Sequence, residues 1–569
     1  MKIKKCAISK FRSIEYGEFT IEGVIGIVGQ NNAGKSAVLK ALNSFFNPDE
    51  EIQSYQDGLH LYSTNRAVPR ITITFSNVPP NQPFSVFVSN SELVIKQEYN
   101  KKKRALEYFV LNNGTFQAMT DELFSAFSSC IQFILIPTNR TATNIAKSEV
   151  SALKRLLDSF FTKHTARRDT LTPKVRETFR YFQNNALKKV SFGIEDKYLA
   201  KRGFSIQIDS RVPLSYDLFI NELTISINEE GKEFKLEECG SGIQSLVIMS
   251  IHKYLAELEN TNFIVGIEEP EINLHPQAQK ELVFSLLDEV NQSDSQVIFA
   301  THSTVMVDQL DHTDILLVRK TADNNRSFKS EIFQLRRDFW SHYNLQRMQY
   351  DKFHKFRNSE FFFANHVLVT ESPIDSEVFS VLLNSKGIVL EREGISILEL
   401  GGITSLKYAF YLLRDLKLPK TIIVDKDFFF EYQNGRKDNS RYGSGFFNYS
   451  NTYRNEDLIS EIITGLQKRT ILEGLLTSNH SRALDITIEY DVVCMKYNME
   501  MDLVASTVAQ TLICDYLNIP ANERNTHNLL VNNEKAIKKL DLLNHVISNL
   551  PHRNLPNSYK RLIRRIREL

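Results

Sequence analysis

The sequence predicts an α/β protein of two domains, and three observations carry that prediction. Short apolar runs alternate with segments of helical spacing through most of the chain. A glycine-rich turn stands between an apolar run and a helix near the N-terminus, and acidic clusters follow apolar runs in the C-terminal half. Open α/β sheets place their sites at such strand ends. With 569 residues, 42% of them hydrophobic and 24% charged, the chain has the length for about three domains or two large ones and the composition of a globular protein. Lys+Arg is 69 and Asp+Glu is 68, a net charge of +1. That balance excludes a global basic field, so any nucleic-acid site must be a local patch. The five cysteines are scattered, with no C-x-x-C pair and no zinc-ligand spacing. Together with the lack of a signal-type leader or an 18-residue apolar run, this predicts a reduced, cytoplasmic protein with no membrane partner.

Taken in order, alternation predicts strands at 3–8, 17–21 and 24–28, and spacing predicts a helix over 35–46. Strand-like text covers 71–75, 84–88 and 133–136. A polar, basic stretch over 141–192 predicts an inserted helical arm, better suited to building a dimer than to binding DNA. Strand text resumes at 203–227. A helix at 243–258, a buried strand at 263–267, a helix at 276–290 and a strand at 296–300 follow, which predicts a largely parallel sheet. A second α/β unit begins near 360, with strands at 367–370, 395–400 and 421–424 and helices at 374–384 and 403–416. Residues 428–455 show no periodicity and predict a long loop, and 456–569 is mostly helical. The expected division is 1–345 and 360–569.

Gly29-Gln-Asn31-Asn32-Ala-Gly34-Lys35-Ser36 fits G-x4-G-K-[ST] between a strand and a helix. Glycines there let backbone N–H groups curl around phosphate oxygens, and the helix N-terminus adds favourable partial charge. Lys35 would reach the β/γ-phosphates and Ser36 a Mg²⁺ ion. The strand Phe263–Ile267 ends in Glu268-Glu269-Pro270-Glu271, carboxylates able to serve Mg²⁺ and polarise a water. Val297–Ala300 ends in Thr301-His302-Ser303. Cys239-Gly240-Ser241-Gly242-Ile243-Gln244 opens a helix and can offer N–H groups to a phosphate on a neighbouring subunit.

The order of these elements resembles the ATP-binding-cassette ATPases of the RecF/SMC-like branch. Residues 261–276 look like that branch's Walker B segment and D-loop, and Lys10-Phe-Arg-Ser13 like its first strand turn. The resemblance implies paired ATP sites in a homodimer, with Ser241 and Gly242 closing over the partner's nucleotide. It also implies Glu269 as hydrolytic base, His302 as γ-phosphate switch and Gln132 as the Q-loop residue. Glu268 departs from the usual Asp, and Cys-Gly-Ser-Gly-Ile-Gln from the usual Leu-Ser-Gly-Gly-Gln, which puts fast turnover in doubt.

In the second half, Val367–Thr370 ends in Glu371-Ser-Pro-Ile-Asp375, and Ile422–Val424 ends in Asp425-Lys-Asp427. Converging carboxylates make a hard-cation site for Mg²⁺ or Mn²⁺, and two such metals can activate water against a phosphodiester. The alternative is that Glu371 and Asp375 cap a helix and that Asp425 to Asp427 forms a turn. This half resembles a Toprim domain, and the whole chain resembles the OLD (overcoming lysogenisation defect) nucleases. The nuclease subunit of the Gabija system and some retron effectors share that layout. The implied architecture is an ABC-type ATPase domain with a helical insertion, then a Toprim α/β domain with a helical C-terminal region. The resemblance implies metal binding by Glu371, Asp375, Asp425 and Asp427, a further acid and a late lysine. Glu456 and Lys538 are the selected residues, with Glu461, Lys535 and Lys539 as rivals. The family's Glu-Gly step is Glu371-Ser372 here.

Arg436, Lys437 and Arg441, mixed with aromatics directly after Asp427, suit phosphate contact and base stacking. The C-terminal basic amphipathic stretch 559–567 is either a DNA contact or a solvated face. The expected activity is ATP-gated, metal-dependent cutting of DNA, implied to serve antiphage defence. Implied partners are a retron reverse transcriptase with its RNA–DNA, or a helicase subunit. A RecF-like repair ATPase without nuclease activity and a nucleotide-switched scaffold are the competing classes.

Overall fold

The computed structural model describes residues 1–62, 67–138, 183–198, 203–210, 223–346 and 359–569, apart from 230, 260, 293–294 and 323–327, and it also describes Leu153, Leu156 and Leu157. Most of the predicted arm at 141–192 lies outside these residues. The chain divides into two compact units, Met1–Leu335 and Arg336–Leu569.

The first unit is built on β1 (Lys2–Phe11), β2 (Ile14–Thr20), β3 (Val24–Val28), β4 (Arg70–Ser76), β5 (Leu93–Asn100), β6 (Ala105–Asn112), β7 (Thr115–Ala118) and β8 (Ile131–Ile136). It continues with β9 (Ser205–Ser210), β10 (Leu223–Glu229), β11 (Lys232–Lys235), β12 (Asn262–Glu268), β13 (Gln296–Ala300), β14 (Ile315–Ala322) and β15 (Phe328–Gln334). Twelve of these strands form one sheet in the order β7-β6-β5-β4-β1-β2-β15-β14-β3-β13-β12-β8, and β9, β10 and β11 form a small antiparallel one.

The expectation of a largely parallel sheet is corrected. Parallel pairing covers β14-β3-β13-β12-β8 and the short β15–β2 contact, while β7 through β2 and β15–β14 pair antiparallel. The difference is physical: β3, β12 and β13 are each followed by a helix, whereas β1–β2, β5–β6 and β6–β7 are antiparallel neighbours joined by short turns. The strand expected at 84–88 is a 3₁₀ turn over Pro83–Phe87. Pro83 fixes φ and offers no N–H to a ladder.

β3 is buried along its whole length, as an interior parallel strand requires. The helix Lys35–Phe46 then buries Val38, Leu39, Leu42 and Phe45 in the core beneath the sheet. Between strand and helix, Gly29 sits at φ 145° and Gly34 at φ 110°, and a Cβ on Gly29 would meet the Val318 carbonyl at 2.1 Å. No L side chain fits there.

A buried polar relay braces the turn after β1. Arg12 Nε donates to His60 Nδ1 at 3.1 Å, and His60 Nε2 lies 2.7 Å from Glu51 Oε2. Glu51 also accepts from Lys40 and Asn43. Burial pushes the Glu51 carboxyl up, but these donors outweigh it and hold the pKa at about 2. A carboxylate held below its unfolded value contributes stability above about pH 4.5 and loses it as pH falls toward 2. The stability difference between wild type and Glu51→Gln should therefore narrow by about 1.4 kcal/mol from pH 6 to pH 3.5, as read by urea unfolding.

The second unit carries β16 (His366–Thr370), β17 (Ile395–Glu399), β18 (Lys420–Val424), β19 (Phe430–Tyr432), β20 (Tyr449–Tyr453) and β21 (Val492–Cys494). Its sheet runs β17-β16-β18-β21, all parallel. The predicted loop 428–455 contains a hairpin, β19 with β20, held by Tyr432 stacked on Tyr449 at 5.1 Å. Residues 336–345, expected in the first domain, pack in the second unit: Trp340 stacks on Tyr408 at 5.0 Å and Tyr343 on Tyr411 at 4.0 Å. The terminal helix Asn557–Arg567 buries Tyr559, Leu562, Ile563 and Ile566, while Arg561 and Arg565 pair with Asp485 and Asp491. Those two ion pairs anchor the helix.

Candidate nucleotide and metal sites

In the first unit β3, β13 and β12 lie side by side, with Ile27, Ala300 and Glu268 in one row across the sheet. Their C-terminal ends therefore bring the P-loop, the His302 turn and the Glu268-Glu269 pair to one edge. Lys35 is 6% exposed. Its Nζ donates to the carbonyls of Gly29 (2.9 Å) and Gln30 (3.0 Å) and lies 3.5 Å from His302 Nδ1. Burial pushes the ammonium down to about 8, against the pull of Glu269 and Glu271. Burial and then Lys35 also lower the His302 pKa, against the pull of Glu269 and Glu271.

Glu269 adopts φ 46°, strained for a residue with a side chain, and its carboxylate is 3.8 Å from His302 Nε2. Strain of this kind persists where the surroundings hold it, and here the Glu269 N–H donates to Ala300 at 2.8 Å. Glu268, 8% exposed, accepts from Thr138 N–H and Oγ1. Asn31, Asn32 and Ser36 are exposed on the loop and the first helical turn. Ser36 and Glu268 offer the hard oxygen donors that suit Mg²⁺.

Ser241 and Gly242 begin the helix Ser241–Glu259. A Cβ on Gly242 would lie 2.5 Å from the Leu274 side chain, so glycine permits the close packing of this turn on the segment after Glu271. Gln244 ties the turn down through the Leu236 and Cys239 carbonyls. Gln132 is a correction. It sits near the start of the edge strand β8 opposite Phe263, five residues and roughly 16 Å short of Glu268 along the sheet.

Two contributors were not singled out from sequence. Glu271 accepts the His302 N–H at 2.6 Å and so positions that turn. Ser330, on β15, donates to the Ala33 carbonyl at 2.5 Å and shares a hydrogen bond with Ser13 at 2.7 Å, bracing the P-loop from below. Glu271 stands in the quoted acidic run. Ser330 is some 300 residues from the loop it braces and carries no local signal.

In the second unit, β16 and β18 are adjacent, and Glu371 and Asp425 follow them directly. Burial raises the Glu371 pKa, and Asp427 and Asp375 raise it further. Asp425 is raised well above the carboxylate range by burial, then by Asp427, Asp375, Glu500 and Glu371. Among the described residues no three His, Cys, Asp or Glu side chains close on one point at ligand distance. An all-oxygen donor set whose members raise one another's pKa fits a divalent cation, which would relieve both the burial and the repulsion.

Asp375 also caps its helix. Its Oδ2 accepts from the Ser372 N–H (3.0 Å) and hydroxyl (2.9 Å). Asp425, in contrast, makes no side-chain cap. Asp427 accepts from the Tyr432 hydroxyl at 2.9 Å. Glu500, which sequence reasoning missed, acts on both Asp375 and Asp425 from the helix after β21.

Asp427 and Glu456 line one cavity of about 590 Å³ with Lys407 and Arg454. The rival Glu461 instead pairs with Arg414 at 2.7 Å. Lys437 is close enough to lower the Glu371 pKa, and it also acts on Glu534, the partner of Lys538 at 2.7 Å. Lys535 and Lys539 are exposed. Arg441 is a correction among the expected DNA contacts. It is bound to Glu534 and to the Gly445 and Leu530 carbonyls, with Phe447 beneath it, so it braces the loop. Arg436 is exposed.

Residues 1–129 and 117–307 match the AAA ATPase domain family, and residues 362–427 match the TOPRIM domain of proteins like the overcoming lysogenization defect protein. The chain is 24% identical over 454 residues to the OLD nuclease of Thermus scotoductus, covering 75% of this chain and 82% of that protein. It is 23% identical over 460 residues to the endonuclease GajA of Bacillus cereus, covering 75% of each. Among solved structures, the SMC head bound to the C-terminal winged-helix domain of ScpA covers 59% of this chain and 98% of that one, at TM-score 0.42 and 17% identity. The matched domains are of kinds that use a nucleotide and a divalent metal. The chain belongs to the AAA ATPase domain family, whose model spans residues 1–307, and carries an OLD-like TOPRIM domain at residues 362–427.

Proposed function

We propose that this protein is a divalent-metal-dependent DNA endonuclease whose cutting is gated by ATP. The observation that carries the proposal is the adjacency of β16 and β18, which puts Glu371 and Asp425 at one sheet edge among Asp375, Asp427 and Glu500. Mg²⁺ or Mn²⁺ held there would activate a water and steady the leaving oxygen of a phosphodiester. Lys437 supplies positive charge beside Glu371. Arg436 and Lys437 contact the DNA backbone, Glu456 completes the acidic set and Lys538 balances charge nearby. In the ATPase unit, Gly29 to Ser36 cradle the phosphates of ATP–Mg²⁺, Glu269 acts as base and His302 follows the γ-phosphate. A homodimer brings Ser241 and Gly242 over the partner's nucleotide. The setting is antiphage defence in the cytoplasm, alongside a retron reverse transcriptase with its RNA–DNA or a helicase subunit.

Supercoiled and linear DNA incubated with Mg²⁺ or Mn²⁺, with and without ATP, provides the test. Cutting should require metal and stop in chelator. No cutting under any condition would leave a DNA-binding ATPase in its place. Glu456→Gln should lower cutting by about tenfold or more, while Glu461→Gln, which touches only the Arg414 pair, should leave it within about twofold. Equal effects would remove Glu456 from the acidic set.

A further inference from the structure

A DNA backbone carries a negative charge at every phosphate, and the sheet edge that would cut it is itself acidic. Asp427, Asp375, Glu500 and Glu371 all act on Asp425 there. Divalent cations offset part of the repulsion, and fixed positive side chains must meet the rest where the backbone enters. The cavity of about 590 Å³ beside Asp427 has two such side chains on its wall, Lys407 and Arg454.

Both stand on segments fastened to the carboxylate residues. After β17, Gly401 and Gly402 reverse the chain at φ 64° and 130°, conformations that favour glycine. The Gly402 N–H donates to the Glu371 carbonyl at 3.0 Å. Burial raises the Glu371 carboxyl pKa, and the Ile403 N–H pulls against it. A short 3₁₀ turn over Ile403–Ser405 leads into the helix Leu406–Asp415, and Lys407 lies in the first turn of that helix. Arg454 follows β20 directly. Its backbone N–H donates to the Phe429 carbonyl at 2.9 Å, and its Nη1 donates to the Asp427 carbonyl at 3.3 Å. Where Glu371 and Asp427 stand therefore fixes where the two cations stand.

Neither cation is neutralised by its neighbours. Asp427, Glu456 and Asp457 line the same cavity, yet among the described residues Lys407 and Arg454 form no ion pair, and the Lys407 ammonium makes no hydrogen bond. Arg414 and Arg441 are different: they pair with Glu461 and Glu534. A solvated face accounts for one free cation. It does not account for two, from distant segments, on one cavity bounded by Asp427.

We propose that Lys407 and Arg454 form a phosphate clamp, which holds the DNA backbone in this cavity so that the diester to be cut lies against the acidic edge. The clamp rests on the endonuclease reading and adds to it the residues that seat the substrate. Anisotropy with a labelled duplex tests it, using full-length protein that carries Asp425→Asn so that the DNA stays uncut. Adding Lys407→Gln or Arg454→Gln should weaken binding about tenfold and reduce the slope of log Kd against log salt by about one. Lys407→Arg and Arg454→Lys keep the charge and should preserve the slope. In protein with Asp425 intact, the same Gln substitutions should raise KM for plasmid about tenfold, while Mn²⁺ still raises the melting temperature by the wild-type amount. Duplex affinity and salt slope that Lys407→Gln leaves unchanged overturn the clamp, and wild-type cutting then keeps the endonuclease reading in place. A Mn²⁺ effect lost together with affinity also overturns it, because the two residues would then support the metal site. Absence of metal-dependent cutting by wild type removes the endonuclease reading itself, and the clamp with it.

Discussion

Replacing Lys35 with alanine should weaken ATP binding by about 10- to 100-fold, the worth of a hydrogen-bonded charge to a phosphate. In the free protein Nζ is folded back onto the Gly29 and Gln30 carbonyls, inside the space the loop encloses. Bound phosphates would take over that ammonium. Because burial brings its pKa down to about 8, the group is only partly charged in mildly alkaline solution and must take up a proton to pair with phosphate. Affinity should therefore fall as pH rises above about 8, by up to tenfold per unit. Lys35→Arg keeps its charge throughout and should flatten that dependence even if it binds more weakly. Fluorescent-nucleotide titration from pH 7 to pH 9.5 reads both effects. A wild-type affinity that does not change across that range would mean that Lys35 does not carry the phosphate contact.

The second large effect is at Asp425. Asp425→Asn should lower metal-dependent cutting by at least about 100-fold while leaving ATP binding at the wild-type level. The same variant should unfold at a temperature no lower than wild type in chelator. A buried carboxylate crowded by Asp427, Asp375, Glu500 and Glu371 is a strain on the metal-free fold, and the amide removes the charge at nearly constant shape. Added Mn²⁺ should raise the melting temperature of wild type and much less that of the variant. The metal effect on wild type should strengthen with rising pH, because the raised carboxyl groups must lose protons before they can ligate. A variant that cuts normally, or that melts well below wild type in chelator, would place Asp425 in the scaffold rather than at the metal.

Much of this was legible in the residues because the chemistry is written locally. The turn Gly29 to Ser36 needs glycine at two positive-φ positions and a lysine and hydroxyl at set spacing. Asp425-Lys-Asp427 follows an apolar strand in plain text. The parallel strands β3, β12, β13, β16 and β18 are continuous apolar runs for the reason that makes them parallel: both of their faces are buried. β21 was not legible, because three residues are too few to show a period. Glu500 was missed with it. The hairpin β19 with β20 was hidden for the same reason, its pairing resting on cross-strand aromatic contacts rather than on alternation.

Sequence and tertiary structure thus divided the decisions by range. Residue type and spacing established the two α/β units, the phosphate turn and the acidic strand ends, because each depends on neighbours a few positions away. Only the fold decided among chemically equal candidates. It sent Glu461 to Arg414 and left Glu456 beside Asp427. It spent Arg441 on Glu534 and left Lys437 beside Glu371. It put Gln132 at the far, N-terminal end of its strand and brought Glu271 and Ser330 to the nucleotide turn. A carboxylate or a guanidinium has the same chemistry wherever it stands in the chain. Whether it meets a partner, a neighbour of like charge or open space is set by pairing between residues tens to hundreds of positions apart.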